Sequence, residues 1–138
     1  MSLIIDVQFP GGKKINAKIG EVLIKTDQSV AAGGEGSAPE PFQLFLASIA
    51  TCAGIYASEF CKARNIDGQG MALQMICDYN HEVKRFTKMK LALQLPPGFP
   101  DKYRDGIIRA MDLCTVKRHM INPPEFEIGI TEIQVPAV

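Results

Sequence analysis

The chain has 138 residues, with 15 Lys+Arg balanced by 15 Asp+Glu, 46% hydrophobic residues and 22% charged ones. That is the size and composition of a single globular domain, here expected over residues 1–138, and it excludes a disordered, collagenous or mucin-like chain. A neutral balance with a pI near 6.7 gives no electrostatic drive toward nucleic acid or an anionic membrane, so neither is expected as a partner.

From the start of the chain, Leu3, Ile5, Val7 and Phe9 alternate with polar residues as in a half-buried strand. Pro10-Gly11-Gly12 reads as a turn, residues 13–19 continue the alternation, and Val22 to Thr26 reads as a third strand after the turn at Gly20-Glu21. Residues 28–40 are rich in Gly, Ala and Ser, which predicts a flexible loop. The next segment, PFQLFLASIATCAGIYASEFCKARN (41–65), reads as a helix with proline in its first turn. It is apolar on almost every side between Phe42 and Ala57, which predicts a central, buried helix. Its uncharged stretch, Pro41 to Ser58, is 18 residues and is interrupted by Gln43, Ser48 and Thr51, so a core helix fits it better than a membrane span. Residues 71–80 and 86–95 alternate as a hairpin with one wet face. Tyr103, Ile107, Met111 and Cys114 fall on one face of a second helix. After Pro123-Pro124, the alternation of Phe126, Ile128 and Ile130 predicts a last strand. The expected order is β-β-β-α-β-β-α-β, an α+β fold.

No GxSxG, Walker A, HExxH or GxGxxG motif is present, and the four cysteines at 52, 61, 77 and 114 form no CxxC or CxxH pair, so the common zinc frameworks are not expected. The N-terminus lacks the basic and apolar regions of a signal peptide, which predicts a cytoplasmic protein with reduced thiols. Cys77 falls on the apolar face of a strand and reads as a small core residue. Cys61, near a helix end among Glu59, Lys62 and Arg64, reads as a half-exposed structural thiol. Cys52 and Cys114 each lie on the inward face of a different helix. Patterning alone accommodates them as two core residues or, given nearby positive charge, as a reactive pair.

The segments PFQLFLASIATCAGIYA and DLCTVKRHMINPPEFEIGI resemble the two cysteine signatures of the OsmC/Ohr family, the osmotically inducible and organic hydroperoxide resistance proteins. The separation of the two cysteines and the order of elements agree with it, and the resemblance runs through essentially the whole chain. It implies an OsmC-like fold in an intertwined homodimer, with Cys52 as the peroxidatic thiolate and Cys114 as the resolving thiol. It also implies an organic hydroperoxide as substrate, a dithiol reductant such as a lipoylated protein, and a chemistry that needs neither metal nor flavin. Phe42, Phe45, Ile55 and Tyr56 would then wall the substrate pocket.

Three positions depart from the family pattern. Phe42 follows Pro41 where the peroxidases carry glutamate, no arginine precedes Arg64, and Cys114 is followed by Thr115 rather than proline. Glu40, Lys14 and Arg118 are the residues that could take over activation of the thiol. The expected function is a thiol peroxidase acting on organic hydroperoxides in oxidative-stress defence. The alternative is a non-catalytic domain of the same fold that binds an apolar ligand or senses oxidants.

Overall fold

The computed structural model describes residues 1–133, and these divide into two units: Met1–Phe45 with the chain from Glu125 onward, and Leu46–Pro124. In the first unit β1 (Asp6–Gly11), β2 (Lys14–Ile19) and β3 (Val22–Thr26) form an antiparallel meander in that order. Gly12 and Gly20 hold the left-handed conformations that its two tight turns need. The register sets Val7 against Ala17 and Ala17 against Ile24 in one row, with Gln8, Asn16 and Lys25 in the next.

The burial of β1 is the reverse of the expected one. Asp6 and Gln8 are half-buried, whereas Val7 and Phe9 are exposed, Phe9 to 78%. The alternation is present, but its apolar side has no cover in the single chain.

The Gly/Ala/Ser-rich loop is also more ordered than expected. Asp27 is 1% exposed and accepts hydrogen bonds from the N–H groups of Gln28, Glu35 and Ser37 and from the Ser37 hydroxyl, the last at 2.6 Å. These bonds fold residues 27–37 around one carboxylate, with a short 3-10 turn at Val30–Ala32 in which the Ala32 N–H donates to the hydroxyl of the N-cap Ser29. Gly34 packs so tightly that a Cβ there would stand 2.1 Å from the Gln28 carbonyl oxygen. The Ser37 hydroxyl and N–H, opposed by burial and joined by the amides of Gln28 and Glu35, hold the Asp27 carboxyl down to about 2.

α1 (Pro41–Ala63) begins with proline at its first position, and the Gln43 side chain accepts from the Glu40 N–H, which is half of a capping box. It buries a single stripe of Ile49, Ala53, Ala57, Phe60 and Cys61. The opposite stripe of Ala47, Thr51, Ile55 and Glu59 is exposed in the single chain, so the expected enclosure is met on one side of the helix. Asn65 takes a left-handed conformation and the Ile66 N–H returns to the Cys61 carbonyl, a Schellman ending that turns the chain back over the core.

In the second unit β4 (Ala72–Asn80) and β5 (Arg85–Gln94) pair as a hairpin, with Leu73–Leu93, Met75–Leu91 and Cys77–Met89 as facing pairs on its less exposed side. Ala53, Ala57, Phe60, Cys61, Phe99, Ile107 and Met111 form the core, flanked by Leu73, Leu91, Leu93 and Tyr103. Cys61 is 2% exposed, not half-exposed. The charged residues around it turn away, and Arg64 lays its guanidinium 3.5 Å above the Phe60 ring while bonding the Phe60 carbonyl, which seals that end of the helix.

Where one long second helix was expected there are two, α2 (Arg104–Asp112) and α3 (Thr115–Ile121), preceded by a 3-10 turn that contains Tyr103. The N–H groups of Leu113 and Cys114 bond back only three residues, the helix tightens, and Cys114 turns extended as the N-cap of α3. Ile107 and Met111 are buried as expected. The final strand is not formed: residues 122–133 hold no regular element, and Phe126, Ile128 and Ile130 are exposed, Ile128 to 96%. An alternating segment becomes a strand only beside another ladder, and none of the described strands pairs with this one.

Candidate functional site

The second unit brings Cys52 and Cys114 together. Cys52 sits half-buried in the middle of α1, and the break between α2 and α3 delivers Cys114 to the same place. The Cys114 sulfur lies 4.0 Å from the carbonyl of Ile49, almost one turn before Cys52. Both cysteines are free thiols, and each acts on the acidity of the other.

Their surroundings push the two thiols apart in acidity. Partial burial alone would raise Cys52. It is outweighed by the N–H of Val116, the Cys114 thiol, the N–H of Thr115 and the charge of Arg118, which together bring Cys52 below the ordinary thiol range. Cys114 is raised, chiefly by burial. The N–H groups of Lys117 and Val116 oppose that, while its hydrogen bond to Cys52 adds to it. Cys61 is also raised by burial, with Arg64 acting weakly the other way. Of these three thiols, the one held nearest to thiolate is Cys52, and its neighbour is held as a thiol.

Thr115 links the site's polar groups. The Tyr56 hydroxyl lies 3.2 Å from the Thr115 hydroxyl, and the Arg118 guanidinium donates to that same oxygen at 3.3 Å. Tyr56 is one turn beyond Cys52 on α1. Beside Cys114 opens an apolar cavity of about 330 Å³, walled by Ile49, Ala53, Met89, Leu91, Ile108, Met111 and Met120, with the ion-paired Asp112 and Lys117 also lining it. Among the described residues, no group of three His, Cys, Asp or Glu side chains is placed to hold a metal ion.

Of the residues expected around the thiols, Arg118 and Tyr56 are at the site. Ile55 lies on the exposed stripe of α1, and Phe42 and Phe45 stack on each other with centroids 5.3 Å apart. None of Phe42, Phe45, Ile55 and Tyr56 lines the cavity. Lys14 and Glu40 belong to the first unit and have partners there. Lys14 pairs with Glu35 at 2.6 Å, a contact that raises its pKa, and Glu40 accepts from the Ser29 N–H. Reasoning from sequence missed Thr115 and the methionine-lined cavity. The signal for Thr115 was its position directly after Cys114.

A family model described as "OsmC-like protein" matches residues 34–129. This chain belongs to the OsmC-like family. Among solved structures it is similar to a protein from Psychrobacter arcticus described as osmotic-stress-induced and a detoxification response protein, with TM-score 0.72 and 21% identity over 86% of this chain and 87% of that one. An OsmC-like protein from Mycoplasma pneumoniae matches with TM-score 0.69 and 12% identity over 89% of each chain. The organic hydroperoxide resistance protein OhrB of Bacillus subtilis matches with TM-score 0.51 and 18% identity over 86% and 90%. Among curated protein sequences none matches. At these identities the likeness establishes the OsmC/Ohr fold. Thr115, the residue directly after Cys114, carries an N–H that is one of the groups acting on Cys52.

Proposed function

We propose that this OsmC-like protein is a thiol peroxidase for organic hydroperoxides. The Cys52 thiolate attacks one oxygen of the O–O bond. The bond breaks, the alcohol leaves with one proton, and Cys52 becomes a sulfenic acid. The Cys114 thiol then displaces water from that sulfur to form a Cys52–Cys114 disulfide. An external dithiol, such as a lipoylated protein, reduces the disulfide by two exchanges and leaves as its own disulfide. The observation that supports this reading best is the adjacency of two unlike thiols, one lowered and one raised in pKa. The apolar cavity beside them suits an organic peroxide better than hydrogen peroxide. The reading puts the cycle in the cytoplasm, where thiols are kept reduced.

The proposal includes a homodimer. Val7 and Phe9 on β1 and Phe126, Ile128 and Ile130 near the C-terminus are exposed in one chain, and a second copy would cover such surfaces and give the last segment a ladder. Light scattering at micromolar concentration is expected to give close to twice the 15.1 kDa chain mass. A single-chain mass would remove the dimer from the proposal.

Cumene hydroperoxide consumption with dihydrolipoamide as reductant tests the chemistry. Cys52→Ser is expected to abolish turnover. Cys114→Ser is expected to keep one round of oxidation and to stop at a sulfenic acid that dimedone traps on Cys52. Turnover that survives Cys52→Ser would refute the assignment. One observation favours a second reading, in which the domain binds an apolar ligand: the cavity is lined by Cys114 and not by Cys52. A wild-type protein that consumes no peroxide, yet binds a fatty acid whose affinity falls in Met111→Asp, would support it.

A further inference from the structure

We propose that Thr115 is a positioning residue for the reactive thiol, its hydroxyl holding the Arg118 guanidinium while Tyr56 ties that hydroxyl to the helix that carries Cys52. The inference rests on the reading of Cys52 as the nucleophile.

A threonine hydroxyl has one donor and two acceptor positions, so it can meet a tyrosine hydroxyl and a guanidinium together. Both are present here, at 3.2 Å and 3.3 Å. Tyr56 is carried by α1, one turn beyond Cys52, so the hydroxyl of Thr115 is tied to the helix that bears the thiol. Arg118 follows Thr115 by three residues on α3 and reaches back to it along the helix.

Arg118 is exposed, and an exposed arginine samples many rotamers unless something holds it. The hydroxyl of Thr115 is the holding group that the structure offers. The main chain of Thr115 is braced as well, because its carbonyl lies 2.7 Å from the His119 ring nitrogen. The charge of Arg118 acts on Cys52 in the direction that favours thiolate, which agrees with this arrangement.

The test is residue-resolved alkylation of the full-length reduced protein with iodoacetamide, followed from pH 5 to pH 10 and read by peptide mass spectrometry. Thr115→Val keeps the shape and removes the hydroxyl. It is expected to slow labelling of Cys52 at pH 7 by about threefold and to move its pH profile upward, the size of effect that one screened neighbouring charge produces. Arg118→Gln should do the same, and Tyr56→Phe should do so more weakly. Thr115→Ser should restore the wild-type profile. The double variant Thr115→Val/Arg118→Gln should label no more slowly than Arg118→Gln, because the threonine acts through the arginine. An unchanged profile in Thr115→Val would overturn the inference, as would a double variant slowed by the product of both factors. Near-UV circular dichroism and a melting curve confirm that each variant is folded. The outcome is separable from the peroxidase reading: if wild-type Cys52 fails to react with hydroperoxide, that reading falls, while the alkylation profiles still decide whether Thr115 positions Arg118.

Discussion

The two units of this chain are held together by different physics. In Leu46–Pro124 the buried residues are apolar: Ile49, Ala53, Ala57, Phe60, Phe99, Ile107 and Met111, with Cys61 and Cys114 among them. In the other unit the buried residues are Thr26 and Asp27, and its large apolar side chains, such as Phe9, Val22 and Ile128, are exposed. One unit has a core and the other has a buried carboxylate with a shell of amides. Cys52 and Cys114 sit on the unit with the core, where packed helices can hold two sulfurs in register. The remaining unit carries much of the exposed apolar surface, including Val7, Phe9, Phe126, Ile128 and Ile130.

This contrast can be broken experimentally, and the largest effect is expected in the core. Phe60→Ala removes the ring that Arg64 covers and that faces Tyr103 edge-on. It should cost about 3–5 kcal/mol in urea unfolding. A loss below about 1 kcal/mol would mean that the cluster is not what holds the second unit. Next is Ile128→Asp, which should leave the secondary structure of one chain intact and lower the mass seen by light scattering at micromolar concentration from two chains to one. An unchanged mass would show that the exposed C-terminal segment is not an interface.

Acid should separate the units in a different way. The Asp27 carboxyl is lowered on folding, so the stability it contributes is present above its unfolded pKa, near 4, and is lost as pH falls through the folded value of about 2. Hydrogen exchange at the amides of Gln28, Glu35 and Ser37 is expected to accelerate between about pH 4 and pH 2, beyond the intrinsic pH dependence, while the amides of Ala53 and Ala57 stay protected. Asp27→Asn should open the same loop at neutral pH. Uniform loss of protection in both units would contradict the division. The smallest effect is expected from Cys61→Ala, about 1 kcal/mol of stability for a buried thiol and no change in peroxide reactivity.

Much of the fold was legible because its signals are local. Gly11-Gly12 and Gly20-Glu21 mark turns wherever they occur, and Pro41 marks a helix start on its own. The hairpin's less exposed face followed from the alternation of Leu73, Met75 and Cys77 with polar residues. The errors arose where a residue's environment is set from far along the chain. Glu59, Lys62 and Arg64 made Cys61 look half-exposed, but Arg64 folds back over Phe60 and the Schellman turn closes the helix end. Ile107, Met111 and Cys114 continue one helical period, and nothing in that pattern reveals that the chain turns extended at Cys114. Phe126, Ile128 and Ile130 alternate correctly, but a strand also needs a partner. At the candidate site, Cys52 and Cys114 were identifiable from pattern and resemblance together. Thr115 was not, because its role depends on Tyr56, 59 residues away in sequence.

The central claim is that Cys52 and Cys114 are a peroxidatic pair, and peptide mapping tests it most directly. The fully reduced protein is mixed with one equivalent of cumene hydroperoxide, quenched by alkylation within seconds and digested. The account predicts a Cys52–Cys114 disulfide that does not form with the corresponding alcohol, while Cys61 and Cys77 remain alkylated. Free Cys52 and Cys114, or oxidation of Cys52 no faster than of Cys61, would contradict it.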